Sequence, residues 1–184
     1  MSEEAVWPPA LRIIHWVMAA LVLGALLLGV TMVQVVHDPG ERFELTQTHK
    51  SIGVAILGLA LVRLCLRIRA SAPVPRPAAP LLVIAAKAVH IALYVLLLAL
   101  PLSGWLMAST TPVRVPTSVF GLFDLPYPLA PDFATYRFAH GIHVASAISL
   151  ASLIALHVAA TLVHALLWRD HTVRRMWPER RRAG

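Results

Sequence analysis

YRFAHGIHVASAISLASLIALHVAATLVHALLW, the stretch from Tyr136 to Trp168, contains one charged residue, Arg137, and four histidines, His140, His143, His157 and His164. A helix needs about 20 residues to cross a hydrocarbon layer of about 30 Å. This stretch therefore predicts a transmembrane span in which imidazoles are the main polar groups. Ionisable groups inside a membrane are costly, and by default they mark a ligand or a functional pathway. Fourteen residues separate His143 from His157, which on an α-helix is a rise of about 21 Å that returns to within about 40° of one face. Pairing His143 with His164 would instead span about 31 Å, the whole hydrocarbon thickness. The 14-residue spacing predicts two sites stacked across one membrane.

Three further stretches have the same character: Leu11 to Val36, Thr46 to Arg69 and Pro80 to Ser109. With the first they predict an all-α membrane protein, a four-transmembrane-helix bundle forming a single integral membrane domain over residues 1–184. Composition agrees, since 58% of residues are hydrophobic and 14% are charged, against about 45–50% and about 25% in soluble domains. Too little polar sequence remains to cover a core with a wettable surface. The first span is too long for a signal-peptide core, follows Glu3 and Glu4 and not a basic cluster, and has no clear small-residue cleavage site, so it is expected to be retained. Pro8 and Pro9 stand just ahead of it, where a missing N–H costs little, while Pro101 is expected to kink the third span.

The connections differ in chemistry. His37 to Arg42 reads as a short polar turn, and Ala72 to Pro77 reads as a stiff polyproline-like linker. The longest connection, Thr110 to Thr135, carries five prolines with Phe120, Phe123 and Tyr127, and is expected to lie at the membrane interface as a lid. A single cysteine, Cys65, excludes an intramolecular disulfide framework and a cysteine-based zinc or iron–sulfur site.

The formal charge of +7 could suggest a nucleic-acid partner, but its distribution gives another reason. Twelve of the 16 basic residues (Arg12, Arg63, Arg67, Arg69, Arg76, Lys87, Arg169, Arg174, Arg175, Arg180, Arg181 and Arg182) fall on the side that holds both termini and the second connection. Arg42, Lys50, Arg114 and Arg137 fall opposite. Basic residues concentrate on the cytoplasmic side of membrane proteins, so both termini are expected in the cytoplasm. The tail Arg180-Arg181-Arg182 reads as a topology determinant lying on anionic lipid headgroups, and no nucleic-acid partner is expected.

Alternating span direction assigns depth to the histidines. His49 and His143, with His140 near, fall in the outer layer, and His15, His90, His157 and His164 fall toward the cytoplasm. Zinc and di-iron sites need further His, Asp or Glu ligands converging on one point, and the spans offer none. Haem needs two axial imidazoles from two helices and an apolar slot. Gly53, one turn after His49, and Gly24 and Gly29 in the first span are small enough to let a macrocycle approach. The inner partner of His157 stays open between His15 and His90, each a few residues from a basic boundary residue, Arg12 or Lys87.

These residues together resemble the bacterial cytochrome b561 family. The resemblance is carried by Arg12-Ile13-Ile14-His15-Trp16, by His49-Lys50-Ser51-Ile52-Gly53 followed by Arg63, and by His90 leading to Leu100-Pro101-Leu102-Ser103-Gly104. His143 and His157 leading to Trp168-Arg169-Asp170 and Met176-Trp177-Pro178 complete it. The resemblance covers nearly the whole chain and implies two b-type haems held by four helices in a bacterial inner membrane. It implies His15 and His157 as axial ligands of the cytoplasmic-side haem and His49 and His143 as those of the periplasmic-side haem. His164 is similar to a family position near the quinone, where an imidazole could hydrogen-bond a quinone carbonyl and help deliver protons.

The resemblance further implies ubiquinone as a substrate and, for one branch, superoxide as the periplasmic donor: a superoxide oxidase, or quinone-reducing oxidoreductase. Lys50 beside His49 and Arg137 six residues before His143, with Arg42 and Arg114 in the outer loops, could steer a small anion toward the outer haem. An alternative is a haem b electron-transfer subunit of a larger complex such as a hydrogenase or formate dehydrogenase, working with a redox partner protein. The short outer loops and compact tail offer no docking domain, which favours the first reading. A third possibility, outside redox chemistry, is a histidine-lined transporter without haem.

Overall fold

Helix capping and hydropathy together set the elements. The computed structural model describes residues 6–71, 79–170 and 172–177. The proline-rich linker from Ala72 to Pro77, Glu3 and Glu4, and the tail Arg180-Arg181-Arg182 lie outside the described residues. Four helices, α1 (Pro9–Gln34), α2 (Pro39–Arg69), α3 (Pro80–Thr110) and α4 (Phe133–Leu162), are each long and apolar enough to cross a membrane. A π-helical turn, Val163–Trp168, continues α4, and a 3₁₀ turn, Val173–Met176, follows it.

The helices outrun the apolar stretches. α2 begins at Pro39, seven residues ahead of Thr46, because the Asp38 side chain accepts a hydrogen bond from the Glu41 N–H at 2.9 Å and Pro39 occupies the first turn. Both features suit a helix N-terminus, and Glu41 faces its positive end. The polar segment His37 to Arg42 is thus mostly the first turn of a helix. α4 likewise starts at Phe133, with Asp132 accepting from the Thr135 N–H at 2.7 Å. α3 runs on through Pro101.

α3 packs along α4, α1 along α2, and α2 joins the two pairs through α3. The buried centre is small: Val22 of α1, Ile56 of α2 and Leu150 of α4, surrounded by Leu93, Leu96, Leu97 and Leu100 of α3. Leu27, Ile68, Ile84 and Ile148 are among many exposed large apolar residues. That pattern is expected of a bundle whose outer surface is solvated by lipid and not by water.

The α3–α4 connection folds as a hairpin, β1 (Thr117–Val119) antiparallel to β2 (Phe123–Leu125). Phe120 and Gly121 both take positive φ, 50° and 72°, and Leu122 N–H bonds Val119 O at 2.9 Å. Two left-handed central residues match the twist of a tight hairpin. Ser51 of α2 fastens this hairpin: its hydroxyl lies 2.9 Å from Gln47 O and 3.1 Å from Ser118 O, and it accepts from Phe120 N–H at 3.1 Å. At the opposite end of the bundle the 3₁₀ turn folds back on α1. Its terminal carbonyls accept from Trp7 N–H (Arg175 O, 3.2 Å), Trp16 Nε1 (Met176 O, 2.9 Å) and Arg12 Nη1 (Trp177 O, 2.8 Å).

Candidate functional site

Seven-residue steps run down all four helices. α1 carries His15, Val22 and Gly29; α2 carries His49, Ile56 and Arg63; α3 carries His90, Leu97 and Gly104; α4 carries His143, Leu150 and His157. Seven residues return an α-helix to nearly the same face after about 10.5 Å. The bundle therefore holds three layers. One end joins His15, Arg63, His90 and His157, the other joins Gly29, His49, Gly104 and His143, and Val22, Ile56, Leu97 and Leu150 form the apolar septum between them.

In the layer expected to be the outer one, and so called below, the imidazole centres of His49 and His143 are 6.2 Å apart with the rings at 74°. His49 Nδ1 lies 3.1 Å from Ala25 O. His143 Nδ1 lies 3.0 Å from Leu100 O, with Ser103 Oγ at 3.2 Å. A carbonyl can only accept, so Nδ1 carries the proton on both rings and each Nε2 lone pair is free, the tautomer of an imidazole that ligates a metal. Leu100 O belongs to the imide bond of Pro101 and also accepts from Ser103 Oγ at 2.8 Å. Each ring rests against a glycine of a neighbouring helix. A Cβ on Gly29 would come 3.5 Å from His49 Cε1, and one on Gly104 would come 3.0 Å from His143 Cε1.

The inner layer has three imidazoles. The centres of His15 and His157 are 6.4 Å apart at 85°, and those of His90 and His157 are 5.4 Å apart at 80°. His90 is exposed and its Nδ1 lies 2.6 Å from Ala86 O of its own helix. The buried guanidinium of Arg63 completes the layer and bonds Leu11 O through Nη1 at 2.5 Å, one turn ahead of His15.

Which group fits paired imidazoles? Among the described residues no three His, Cys, Asp or Glu side chains converge to hold a metal ion by themselves. Two imidazoles on opposite sides of one metal, each bonded at about 2.0 Å through a ring nitrogen, place their ring centres roughly 6 Å apart. The His49–His143 and His15–His157 pairs meet that distance, and the His90–His157 pair is tighter. A Cβ on Gly53, one turn from His49, or on Gly24, beside Ala25, would meet nothing within 4 Å. Paired imidazoles with open space beside them are a donor set that would suit a metal carried in its own macrocycle, so the residues present fit a haem.

A cavity of about 410 Å³ opens between the first turns of α2, the end of α3 and the connection that follows it. Arg42, Lys50, His37, Phe43 and Tyr136 are among its lining residues. Lys50 follows His49 directly, so this cavity lies at the outer layer. Of the other outer cations, Arg137 sits 6.0 Å over the Phe133 ring and is not among the lining residues, while Arg114 donates to Leu129 O and, at 3.5 Å, to Ser109 O. Convergence at the outer layer is therefore confined to Arg42 and Lys50. His140 stacks on Tyr136 with ring centres 6.1 Å apart.

His164 lies in the π-helical turn. Trp168 packs edge-on against its ring at 4.6 Å, and the left-handed Arg169 (φ 47°) turns the chain so that the Asp170 carboxylate reaches Nδ1 at 2.5 Å. With Nδ1 occupied, Nε2 is the nitrogen left for a ligand. Sequence reading did not assign Asp170 a role or identify Gly104 and Arg63 as neighbours of the histidines. The seven-residue spacing was the available signal for the last two; Asp170 stood in the Trp168-Arg169-Asp170 motif, but nothing local pointed it back at His164.

Residues 6–179 match the family model described as Prokaryotic cytochrome b561. Among curated proteins, the chain is 36% identical over 163 residues to Cytochrome b561 homolog 2 of Escherichia coli (strain K12), covering 88% of this chain and 86% of that one. It is 32% identical over 135 residues to Probable superoxide oxidase CybB of Yersinia pestis, covering 72% and 74% respectively.

Proposed function

The chain belongs to the prokaryotic cytochrome b561 family, multi-pass electron-transfer proteins of the bacterial inner membrane that use haem b, and we propose that it carries electrons from superoxide to ubiquinone through two haems. The observation behind this reading is the pair of imidazole couples at 6.2 and 6.4 Å, set 14 residues apart on α4. His49 and His143 would hold one haem and His15 and His157 the other. Haem b, when bound, supplies one-electron redox chemistry, and the protein sets its ligation, spacing and surroundings.

The remaining steps belong to the side chains. Val22, Ile56, Leu97 and Leu150 keep water out of the septum and fix the separation of the layers at about 21 Å. Arg42 and Lys50 attract a small anion into the outer cavity. His164, held at Nδ1 by Asp170, presents Nε2 to a quinone carbonyl and takes part in proton delivery. Two superoxide anions and two protons with one ubiquinone give two O₂ and one ubiquinol, which balances. In this reading both termini face the cytoplasm. Support for superoxide comes from the outer cations and from the name of the Yersinia pestis relative.

The test is haem quantification with a reduced-minus-oxidised spectrum on purified protein, followed by anaerobic exposure to a superoxide source. The expected result is two haems per chain, reduced within seconds, with superoxide dismutase suppressing the reduction. Fewer than two haems would overturn the dihaem reading. Two haems that superoxide leaves oxidised would overturn the donor and favour a subunit fed by a partner protein.

A further inference from the structure

We infer that Arg12 and Arg63 form an anion clamp that holds the carboxylates of the haem in the inner layer; this rests on the two-haem reading above. Both arginines are 9% exposed. Arg12 Nη1 donates to Trp177 O, and its Nε is buried with no hydrogen-bond partner. Arg63 Nη1 donates to Leu11 O. Among the described residues no carboxylate stands within ion-pair distance of either guanidinium. Two buried cations with only neutral carbonyl acceptors are an unfavourable arrangement unless an anion completes it.

Position says which anion. Arg12 precedes His15 by three residues, on the same face of α1, and Leu11 O lies one turn ahead of His15. Arg63 is the inner-layer residue of α2, two steps of seven beyond His49. The Arg63 guanidinium thus reaches the turn of α1 that precedes His15, and Arg12 projects from that same turn. Arginine is suited to carboxylates because its planar fork offers parallel N–H donors, and haem b carries two carboxylates. The outer layer has no buried arginine: His49 stands where the inner layer has Arg63, and the cations there, Arg42 and Lys50, are respectively exposed and half-buried in the cavity wall. The clamp thus makes the two haem sites chemically unequal: only the inner one holds its haem with buried guanidiniums as well as imidazoles and packing.

The full chain is compared with the Arg12→Gln/Arg63→Gln variant in non-ionic detergent, and haem transfer to excess apomyoglobin is followed. Half of the haem, the inner one, should leave the variant about tenfold faster or more, as expected from losing hydrogen bonds between charged groups. The outer haem should transfer at the parental rate, which shows that the bundle has folded. A second measurement compares two ligands within one protein. The parent produced without haem should take up protohaem in preference to its dimethyl ester at the inner site, and the double variant should lose that preference. A parent that retains two haems, with both transferring from the variant within about twofold of the parental rate, overturns the clamp. An effect seen only after phosphatidylglycerol is added also overturns it, assigning the guanidiniums to lipid phosphate. A parent with fewer than two haems brings down the dihaem reading and the clamp with it.

Discussion

Gly104 is the residue whose absent side chain has the sharpest consequence. A Cβ there would stand 3.0 Å from His143 Cε1 and 3.2 Å from Nδ1, and that ring is already tied to Leu100 O. Gly104→Ala is therefore expected to displace His143 and lose the outer haem while the inner one stays, read as a fall from two haems per chain to one. Gly58→Ala is the control. It meets nothing within 4 Å, and in a helix interior it should keep both haems and stabilise the protein by about 0.5–1 kcal/mol. His90 stands closer to His157 than a shared metal would place it, so His90→Ala should retain both haems and His15→Ala should lose one. Loss of a haem from His90→Ala would move the inner ligand from His15 to His90.

Asp170 gives a residue-scale prediction with a sign. Burial pushes its carboxyl up, but hydrogen bonds from Thr172 and His164 outweigh this and hold it at about 2, below the usual 3.8. A depressed folded value means the stability contributed by the ionised carboxylate is fully present above about pH 4 and is lost as pH falls through about 2. At neutral pH the carboxylate is therefore charged and holds His164. Asp170→Asn should leave haem content unchanged and slow quinone reduction, measured as re-oxidation of the reduced protein by a ubiquinone analogue. An unchanged rate would remove His164 and Asp170 from the proton path.

At the scale of the element, hydropathy and helix length turn out to be different quantities. Hydropathy marks the lipid-facing part of α2, whereas Asp38, Pro39 and Glu41 set where the helix starts, and that chemistry was already present in the sequence. The extension matters because Arg42 and His37 then reach the outer cavity beside Lys50. Arg42→Gln with Lys50→Gln should slow reduction by superoxide and flatten its dependence on ionic strength, since steering between charges is screened within about 10 Å at 0.1 M salt. Arg137→Gln should change little, because Arg137 does not line that cavity. The hairpin between α3 and α4 was legible only as a proline-rich lid. Its pairing depends on positive φ at Phe120 and on Ser51, 69 residues away in sequence, and local composition encodes neither.

For the whole molecule, four spans require both termini to share a side, and the proposed orientation puts that side in the cytoplasm because the basic residues concentrate there. Reporter fusions at residues 6 and 177 should report one common, cytoplasmic location. A split result would contradict a four-span chain, and two periplasmic readings would reverse the outer and inner assignments. The haem layers should respond independently to substitution, since the septum of Val22, Ile56, Leu97 and Leu150 separates their ligands by two helical turns on each side.

The sequence by itself determined the solvent, the number of spans and the depth of the histidines, because hydrophobicity and helical rise are properties of each segment alone. It could also place His143 and His157 on one face. Only the tertiary structure decided which imidazoles from different helices face each other, that Gly104 clears the space for His143, that Arg12 and Arg63 are buried with no carboxylate beside them among the described residues, and that Asp170 returns to His164. Those relations depend on how separate helices rotate and pack against one another, and in lipid, where apolar faces on either side of a helix look alike, hydropathy does not specify that rotation.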